Sequence, residues 1–195
     1  HVAARSLSTH SLSIFGDHQD IYAVRQTGAC MLSSSSVEEA YHMAMVSHLA
    51  SIKSSLPFIN FFDGFRTSHE IDKVKEIDLS KLETLIDKKA LRKFRDNGMI
   101  SGATTRGTAE NEDVYFQHTE SRNGYYTKAI DNVIYYMDKV NKICKTDYKP
   151  FNYYGDKSSD AVIIAMGSVC ECIKEVVDDL NKKGKKVGLV TVHLY

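Results

Sequence analysis

A stretch near the N-terminus holds side chains that can bind an anion or move a proton. Arg5, His10 and His18 flank an apolar run over residues 12–15, which ends at Gly16. A guanidinium suits a carboxylate because it is planar, bidentate and permanently charged. Apolar residues followed by glycine and polar residues are typical of the carboxyl end of a strand in an open α/β sheet, where ligands bind. The pattern predicts an anion site at a sheet edge, and it also fits a surface turn before a helix.

A second segment repeats this order. An aromatic-rich strand over residues 57–62 ends at Asp63 and Gly64 and leads into a polar stretch with an arginine and a histidine. Two such strand ends indicate one shared rim. Asp63-Gly64 also fits a hairpin turn, but helical periodicity over residues 68–74 favours a strand-to-helix connection.

Three further positions carry weaker signals. Arg106 followed by Gly107 suits an anion, and a solvated loop explains the pair as well. Gly167-Ser168 at a helix N-terminus suits a phosphate, but no Walker or G-x-G-x-x-G pattern surrounds it. His48 lies in the apolar stripe of a helix, and we interpret it as a core histidine rather than a ligand.

Composition excludes several classes of protein. The formal net charge of the 195 residues is zero, so nucleic acid is not an expected partner. No apolar run reaches the roughly 18 residues of a membrane span. The chain begins with His1 and ends within an apparent strand, so we expect an internal piece of a longer polypeptide. The cysteines are scattered and predict free thiols in a reducing compartment: Cys30, Cys144, Cys170 and Cys172.

The elements that must position these residues alternate between strand and helix. Helical periodicity predicts helices over residues 17–26, 37–54, 80–97, 120–145 and from Ser168 to Gly184. Apolar runs predict strands over residues 12–15, 29–32, 57–62, 161–166 and 187–194. The run over 161–166 predicts a buried strand, and the Val-rich run over 187–194 suits a parallel sheet. Residues 99–118 lack periodicity and predict a long functional or interface loop. Capping boxes are expected at Ser36/Glu39, Ser80/Glu83 and Ser168/Glu171.

The helix stripes predict which faces are buried. In the helix over residues 37–54 the apolar stripe runs through Tyr41, Met45 and His48. In the helix over residues 120–145 it runs through Ile130, Val133, Ile134, Met137 and Val140. In the helix that follows Ser168 it includes Val169, Cys172, Val176 and Val177.

The sequence resembles the pyruvate:ferredoxin (flavodoxin) oxidoreductases over essentially its whole length, in order. The resemblance lies in residues 5–20, RQTG at 25–28, FFDGFRTSHE at 61–70, RGTAEN at 106–111, YFQ at 115–117, MGS at 166–168 and residues 184–195. It implies an α/β fold: residues 1–149 as the C-terminal part of a pyrimidine-type thiamine-diphosphate domain (domain I), and residues 150–195 as the start of a transketolase C-terminal-like domain (domain II).

The resemblance also implies a function. Such enzymes oxidatively decarboxylate pyruvate to acetyl-CoA with thiamine diphosphate, Mg²⁺ and [4Fe-4S] clusters. Electrons pass to ferredoxin, flavodoxin or, in protists, a fused reductase that serves NADP. The implied protein is a homodimer in the cytoplasm or in a hydrogenosome or mitochondrion-like organelle. Most cofactor ligands are expected outside this chain, so the chain alone should be inactive.

Arg5 matches the family's substrate arginine and is the expected catalytic and substrate-binding residue, holding the pyruvate carboxylate. His10, His18 and Asp17 are expected to brace the rim by hydrogen bonds. Two alternatives stay open: a non-catalytic scaffold or interface module, and an oxidoreductase for another 2-oxoacid, since Arg5 reads a carboxylate and not the rest of the acid.

Overall fold

A computed structural model describes residues 1–7, 9–98 and 109–195. The strands are β1 (Val2–Ala4), β2 (Ser6–Leu7), β3 (Leu12–Ser13), β4 (Cys30–Ser34), β5 (Phe58–Asp63), β6 (Phe151–Gly155), β7 (Ala161–Ala165) and β8 (Val187–Val192). The helices are α1 (Gln19–Val24), α2 (Val37–Ser54), α3 (Leu79–Glu83), α4 (Lys88–Asp96), α5 (Glu112–Ser121), α6 (Asn123–Cys144) and α7 (Val169–Lys182). No helix within these ranges is long and apolar enough to cross a membrane.

The first sheet has the strand order β1-β5-β4, and both pairings are parallel. All three carboxyl ends therefore lie at one edge, where Ala4 is opposite Asp63 and Ser34 is opposite Phe62. The hairpin reading of Asp63-Gly64 is excluded, because β5 runs parallel to both neighbours. The predicted helix over 68–74 is also wrong. Turns follow β5, and residues 70–78 form neither helix nor strand, since so short an isolated helix is not stable in water.

The run over residues 12–15 does not join this sheet. Leu12 and Ser13 instead pair antiparallel with Leu7 and Ser6 in a small separate ribbon. The strand that precedes Arg5 is β1, which the sequence analysis missed because it has only three residues.

The main core lies between α2, α6 and the first sheet. Its buried residues are Leu32, Met43, Val46, Leu49, Ala50, Val133, Tyr136, Met137, Val140 and Tyr148. The predicted bounds of α2 are confirmed, but the predicted buried face is wrong. His48 is exposed and contacts His1, whereas His42 is buried and its Nδ1 lies 2.9 Å from the Tyr148 hydroxyl.

The segment between α2 and α6 forms more and shorter helices than predicted. Residues 80–97 form two helices, α3 and α4, whose N-terminal amides are capped by Asp78 and Asp87. The predicted Ser80/Glu83 capping box is therefore wrong. Part of the predicted loop over 99–118 is helical, because α5 begins at Glu112. Arg122 alone separates the end of α5 from the start of α6 at Asn123. Of the α6 stripe, Val133, Met137 and Val140 are buried as predicted, but Ile130 and Ile134 are exposed.

The second sheet has the strand order β6-β8-β7, with β7 parallel and β6 antiparallel to β8. Helix α7 covers one face through Cys170 and Val177, which pack on Leu189. The predicted order of strand, helix and strand after residue 160 is confirmed, but the predicted burial of residues 161–166 is wrong, since Ile164 on β7 is 72% exposed. The α7 stripe is likewise split, because Val177 is buried while Val169, Cys172 and Val176 are exposed. The boundary near residue 149 stays a prediction.

Candidate functional site

Arg5 lies at the carboxyl end of β1, at the edge where the first sheet's parallel strands end. Its backbone amide donates to the Asp20 carboxylate at 3.1 Å, and the Asp20 amide donates to the Arg5 carbonyl at 3.4 Å. Because Asp20 belongs to the first turn of α1, this helix fixes the backbone from which the arginine projects.

The Arg5 guanidinium is half-buried and only partly used. Its Nε donates to the Ala3 carbonyl at 3.1 Å, which orients the planar group. Within the described part of the chain, no carboxylate forms an ion pair with it. The two terminal nitrogens therefore remain for a ligand, and a carboxylate matches their fork geometry.

The two predicted rim segments meet beside Arg5. The Gly16 amide donates to the Gly64 carbonyl at 3.4 Å, and the rings of Phe15 and Phe65 pack edge to face at 4.6 Å. Gly64 also donates its amide to the Ala4 carbonyl at 2.8 Å, and a Cβ at this position would collide with that carbonyl. The shared rim is therefore confirmed, and glycine is required where β5 ends.

Asp63 occupies the centre of the rim and is 5% exposed. One carboxylate oxygen binds His18 Nε2, and the other accepts from the Ser168 amide at 2.8 Å and from the Ser168 hydroxyl. Burial alone raises the pKa of Asp63, but the hydrogen bonds from His18 and Ser168 outweigh it and lower the pKa below its ordinary value. Asp63 is thus an ionised, fully bonded carboxylate. The bracing expected of His18 is confirmed.

A second polar cluster lies at the end of β4. The Glu39 carboxylate accepts from the Ser35 amide and hydroxyl, both at 2.7 Å, and lies 3.4 Å from His193 Nε2. Burial raises the pKa of Glu39, yet the hydrogen bonds from His193 and Ser35 outweigh burial and bring the pKa to about 2. The Ser35 hydroxyl also lies 2.9 Å from a Glu171 carboxylate oxygen on α7. The Ser36 hydroxyl caps the Glu39 amide as predicted, while the Glu39 side chain turns to Ser35 instead.

The two sheets meet through these clusters and through backbone pairing. The Ser33 amide donates to the His193 carbonyl at 2.8 Å, and the Tyr195 amide donates to the Met31 carbonyl at 3.0 Å. The carboxyl end of β8 thus continues alongside β4. This contact was not predicted, because no local pattern signals pairing between residues so far apart.

The weaker candidates do not form sites. Ser168 donates both its amide and its hydroxyl to Asp63, so neither is free for a phosphate. Its side chain also makes no capping bond to α7, and the third predicted capping box is wrong. Arg106 and Gly107 lie outside the described residues.

The cysteines are free thiols, as predicted. Burial raises the pKa of Cys170 to about 11, so that thiol is not a nucleophile.

No three His, Cys, Asp or Glu side chains cluster as metal ligands within the described ranges. These residues therefore do not fit Mg²⁺ or an iron–sulfur cluster. The terminal nitrogens of Arg5, which bind no carboxylate within the described part of the chain, fit a carboxylate substrate.

Comparison with known proteins gives matches along most of the chain. Residues 1–138 match the family described as "Pyruvate flavodoxin/ferredoxin oxidoreductase, thiamine diP-bdg". Residues 159–195 match "Pyruvate:ferredoxin oxidoreductase core domain II". Both matches agree with the predicted succession of a thiamine-diphosphate domain and a second α/β domain.

Curated relatives match the whole chain. A pyruvate-flavodoxin oxidoreductase of Enterobacter agglomerans is 52% identical and a pyruvate:ferredoxin oxidoreductase of Moorella thermoacetica is 48% identical, each over 100% of this chain and 17% of the relative. The mitochondrial pyruvate dehydrogenase [NADP(+)] of Euglena gracilis is 46% identical over 100% of this chain and 11% of its own length. The chain thus spans about a sixth or less of these relatives.

A solved structure supports the fold. The 2-oxoglutarate:ferredoxin oxidoreductase from Magnetococcus marinus, with 2-oxoglutarate, coenzyme A and succinyl-CoA bound, superposes with a TM-score of 0.57 over 97% of this chain and 36% of that chain. At 16% identity this likeness concerns the architecture alone.

Proposed function

Because the chain belongs to the pyruvate flavodoxin/ferredoxin oxidoreductase family, we propose that it is part of an enzyme that oxidatively decarboxylates pyruvate to acetyl-CoA and CO₂. The electrons pass through iron–sulfur clusters to ferredoxin, flavodoxin or a fused reductase. The activity belongs to the whole polypeptide, of which relatives have several times this length.

Arg5 is the residue of this chain that contacts substrate. The observation that carries this role is its guanidinium at the carboxyl end of β1, anchored through Nε, with both terminal nitrogens open as far as the described residues extend. A bidentate contact holds the pyruvate carboxylate and so orients the neighbouring carbonyl for attack. The carbanionic charge left by decarboxylation is stabilised by thiamine diphosphate when that cofactor is bound.

Arg5 must bind pyruvate firmly enough to orient it without stabilising the bound substrate more than the transition state. The carboxylate it contacts leaves as neutral CO₂, so this ion pair weakens as the reaction proceeds. Interactions that are stronger in the ground state than in the transition state raise the barrier. The single anchoring bond from Nε to Ala3 orients the group and leaves the carboxylate contact to the terminal nitrogens alone.

The remaining cofactors and partners belong to the rest of the polypeptide. Mg²⁺ and the [4Fe-4S] clusters are held mainly by segments outside this chain. Coenzyme A is the acyl acceptor, and the whole enzyme is a homodimer. It works in the cytoplasm or, in a protist, in a hydrogenosome or mitochondrion-like organelle. The 195-residue chain alone is inactive.

The role of Arg5 is tested in the full-length enzyme with Arg5→Ala and Arg5→Lys. Loss of the bidentate contact should raise the KM for pyruvate or lower kcat by at least about tenfold. Lysine should restore activity only in part, because a point charge does not replace the fork. Arg92→Ala, at an exposed arginine on α4, is the matched control and should leave both constants unchanged.

Two outcomes would redirect the proposal. Unchanged kinetics in Arg5→Ala would refute the assignment, and absence of pyruvate turnover by the wild-type full-length protein would favour a non-catalytic scaffold. Turnover of 2-oxobutyrate or 2-oxoglutarate in preference to pyruvate would identify another 2-oxoacid, because Arg5 contacts only the carboxylate that all these substrates share.

A further inference from the structure

Asp63 connects three segments that are distant in sequence. Through the strand register it faces Ala4, the residue before Arg5. Through one carboxylate oxygen it binds His18, which precedes α1. Through the other it binds Ser168, at the start of α7. A nearly buried carboxylate needs such donors, because an unpaired buried charge is strongly disfavoured.

The first branch leads from Asp63 to the backbone of Arg5. His18 packs edge to face on Phe61 at 5.3 Å, and its carbonyl accepts from the Tyr22 amide at 2.9 Å. It therefore fixes the first turn of α1, to which Asp20 belongs. Asp20 then exchanges hydrogen bonds with the amide and carbonyl of Arg5. Three successive links, from Asp63 to His18, from His18 to the first turn of α1, and from Asp20 to Arg5, thus join the carboxylate of Asp63 to the main chain of the substrate arginine.

The second branch leads from Asp63 into the part of the chain that matches core domain II. Gly167 is buried with φ +81, and a Cβ there would lie 2.9 Å from both Asp63 Oδ1 and His18 Cε1. Met166 packs against the buried cluster of Ala4, Ile21, Met31 and Phe61. The start of α7 thus packs against the residues that support Arg5.

We propose that Asp63 is a positioning residue for Arg5. Through His18 and Asp20, Asp63 links the position of Arg5 to the binding of Ser168 at the rim. The proposal rests on the substrate-binding role of Arg5. When Ser168 is docked, both oxygens of Asp63 are occupied and His18 is held. When Ser168 leaves, a buried carboxylate loses two of its three donors, and it must turn toward water and release His18.

Ser168→Ala in the full-length enzyme tests this coupling with little risk to folding, since it removes one hydroxyl and keeps the backbone amide. Ser158→Ala is a matched control: the Ser158 amide and hydroxyl also both bind one carboxylate oxygen, that of Asp156, but in an exposed turn. Hydrogen exchange of the peptide that spans Arg5 to Asp20 should become about tenfold faster in Ser168→Ala. It should not change in Ser158→Ala.

A double-mutant cycle distinguishes positioning from a general structural effect. Ser168→Ala should raise the KM for pyruvate about fivefold in the wild-type background, with a smaller effect on kcat. In the Arg5→Ala background the same change should shift KM by less than about twofold, since the residue being positioned is gone.

Each result decides a separate claim. Unchanged exchange of the Arg5 peptide in Ser168→Ala would overturn the coupling, and so would an equal KM effect in both backgrounds. Faster exchange together with normal kinetics in Arg5→Ala alone would support the coupling while refuting the substrate role of Arg5.

Discussion

The two sheets use similar apolar strands but bury them to very different extents. In the first sheet, Phe61 on the central strand β5 is fully buried, with α2 packed on the strand and Ile21 and Met166 in its cluster. In the second sheet, α7 covers one face and Ile164 on β7 is 72% exposed. The apolar content of a strand therefore does not determine its burial. The elements that pack on each face determine it, and for β7 the described residues provide few of them.

The largest difference in stability should lie between truncation of Phe61 on β5 and truncation of Ile164 on β7. Phe61→Ala removes a fully buried ring and should lower the free energy of unfolding by about 3–5 kcal/mol. Ile164→Ala, at an exposed position, should lower it by no more than about 0.5 kcal/mol. Denaturant titration of the 195-residue chain measures both values. Equal losses would contradict the contrast between the sheets.

The next effect compares the two ends of α7. Gly167 and Gly184 have almost the same backbone conformation, φ +81 and +79, but only Gly167 is crowded by Asp63 and His18. Gly167→Ala should cost about 2–4 kcal/mol, from left-handed strain plus overpacking. Gly184→Ala should cost about 1–2 kcal/mol from strain alone. Thermal unfolding of both variants gives the difference, and equal costs would argue against close packing of α7 on the first sheet.

A smaller effect concerns the buried carboxylate that joins β4 to the end of β8. Glu39→Gln keeps the shape but removes a charge that accepts from the Ser35 amide and hydroxyl. We expect a loss of about 1–3 kcal/mol in the free energy of unfolding at neutral pH. Glu175→Gln, at an exposed position on α7, is the control and should change stability by less than about 0.5 kcal/mol.

The pH dependence of this loss follows from the lowered pKa of Glu39, which is about 2 in the folded protein against an ordinary value of 4.5. A carboxyl with a depressed pKa contributes stability that is complete above its unfolded pKa and is lost as the pH falls toward the folded pKa. The difference between wild type and Glu39→Gln should therefore be constant above pH 4.5 and shrink between pH 4.5 and 2. A difference independent of pH across that window would show that Glu39 is not ionised in this cluster.

The smallest effect belongs to the exposed face of α7. Asp179 and Lys183 form an i,i+4 ion pair at 2.6 Å, with side chains that are 59% and 66% exposed. Asp179→Asn should change the free energy of unfolding by less than about 0.5 kcal/mol, because water and salt screen the pair. A loss as large as that of Glu39→Gln would show that this face is covered in solution.

Local signals were sufficient for much of the fold. Gly184, the predicted end of the helix that follows Ser168, adopts the left-handed conformation common at helix C-termini, and the bounds of α2 match the prediction. These features depend on a few neighbouring residues, and that dependence is readable in a sequence. Arg5 was predicted as a carboxylate-binding residue from the chemistry of its side chain and from the resemblance of the sequence to the family. Its location at the end of β1 supports that prediction. Its substrate role stays a prediction.

Features that depend on distant contacts could not be predicted in the same way. Helix α2 carries large apolar residues such as Tyr41 and Met45 as well as Met43 and Val46, so periodicity does not select the face that α6 and the sheet cover. Ser168 looks like an ordinary cap, because the carboxylate that takes its hydroxyl is Asp63, more than a hundred residues away. The same limit applies to β7, whose exposure depends on what packs against it.

The pairing of Met31 and Leu32 with Leu194 and Tyr195 also has a consequence while the protein is being synthesised. Strand β4 is an edge of the first sheet, and among the described residues its outer side pairs with residues 193–195. At roughly 5–20 residues per second, a ribosome needs roughly 10–30 s to go from Met31 to Tyr195. During that interval the nascent chain presents an open strand edge, which is a template for pairing with other chains. Residues 193–195 therefore close this edge only after they have themselves been synthesised.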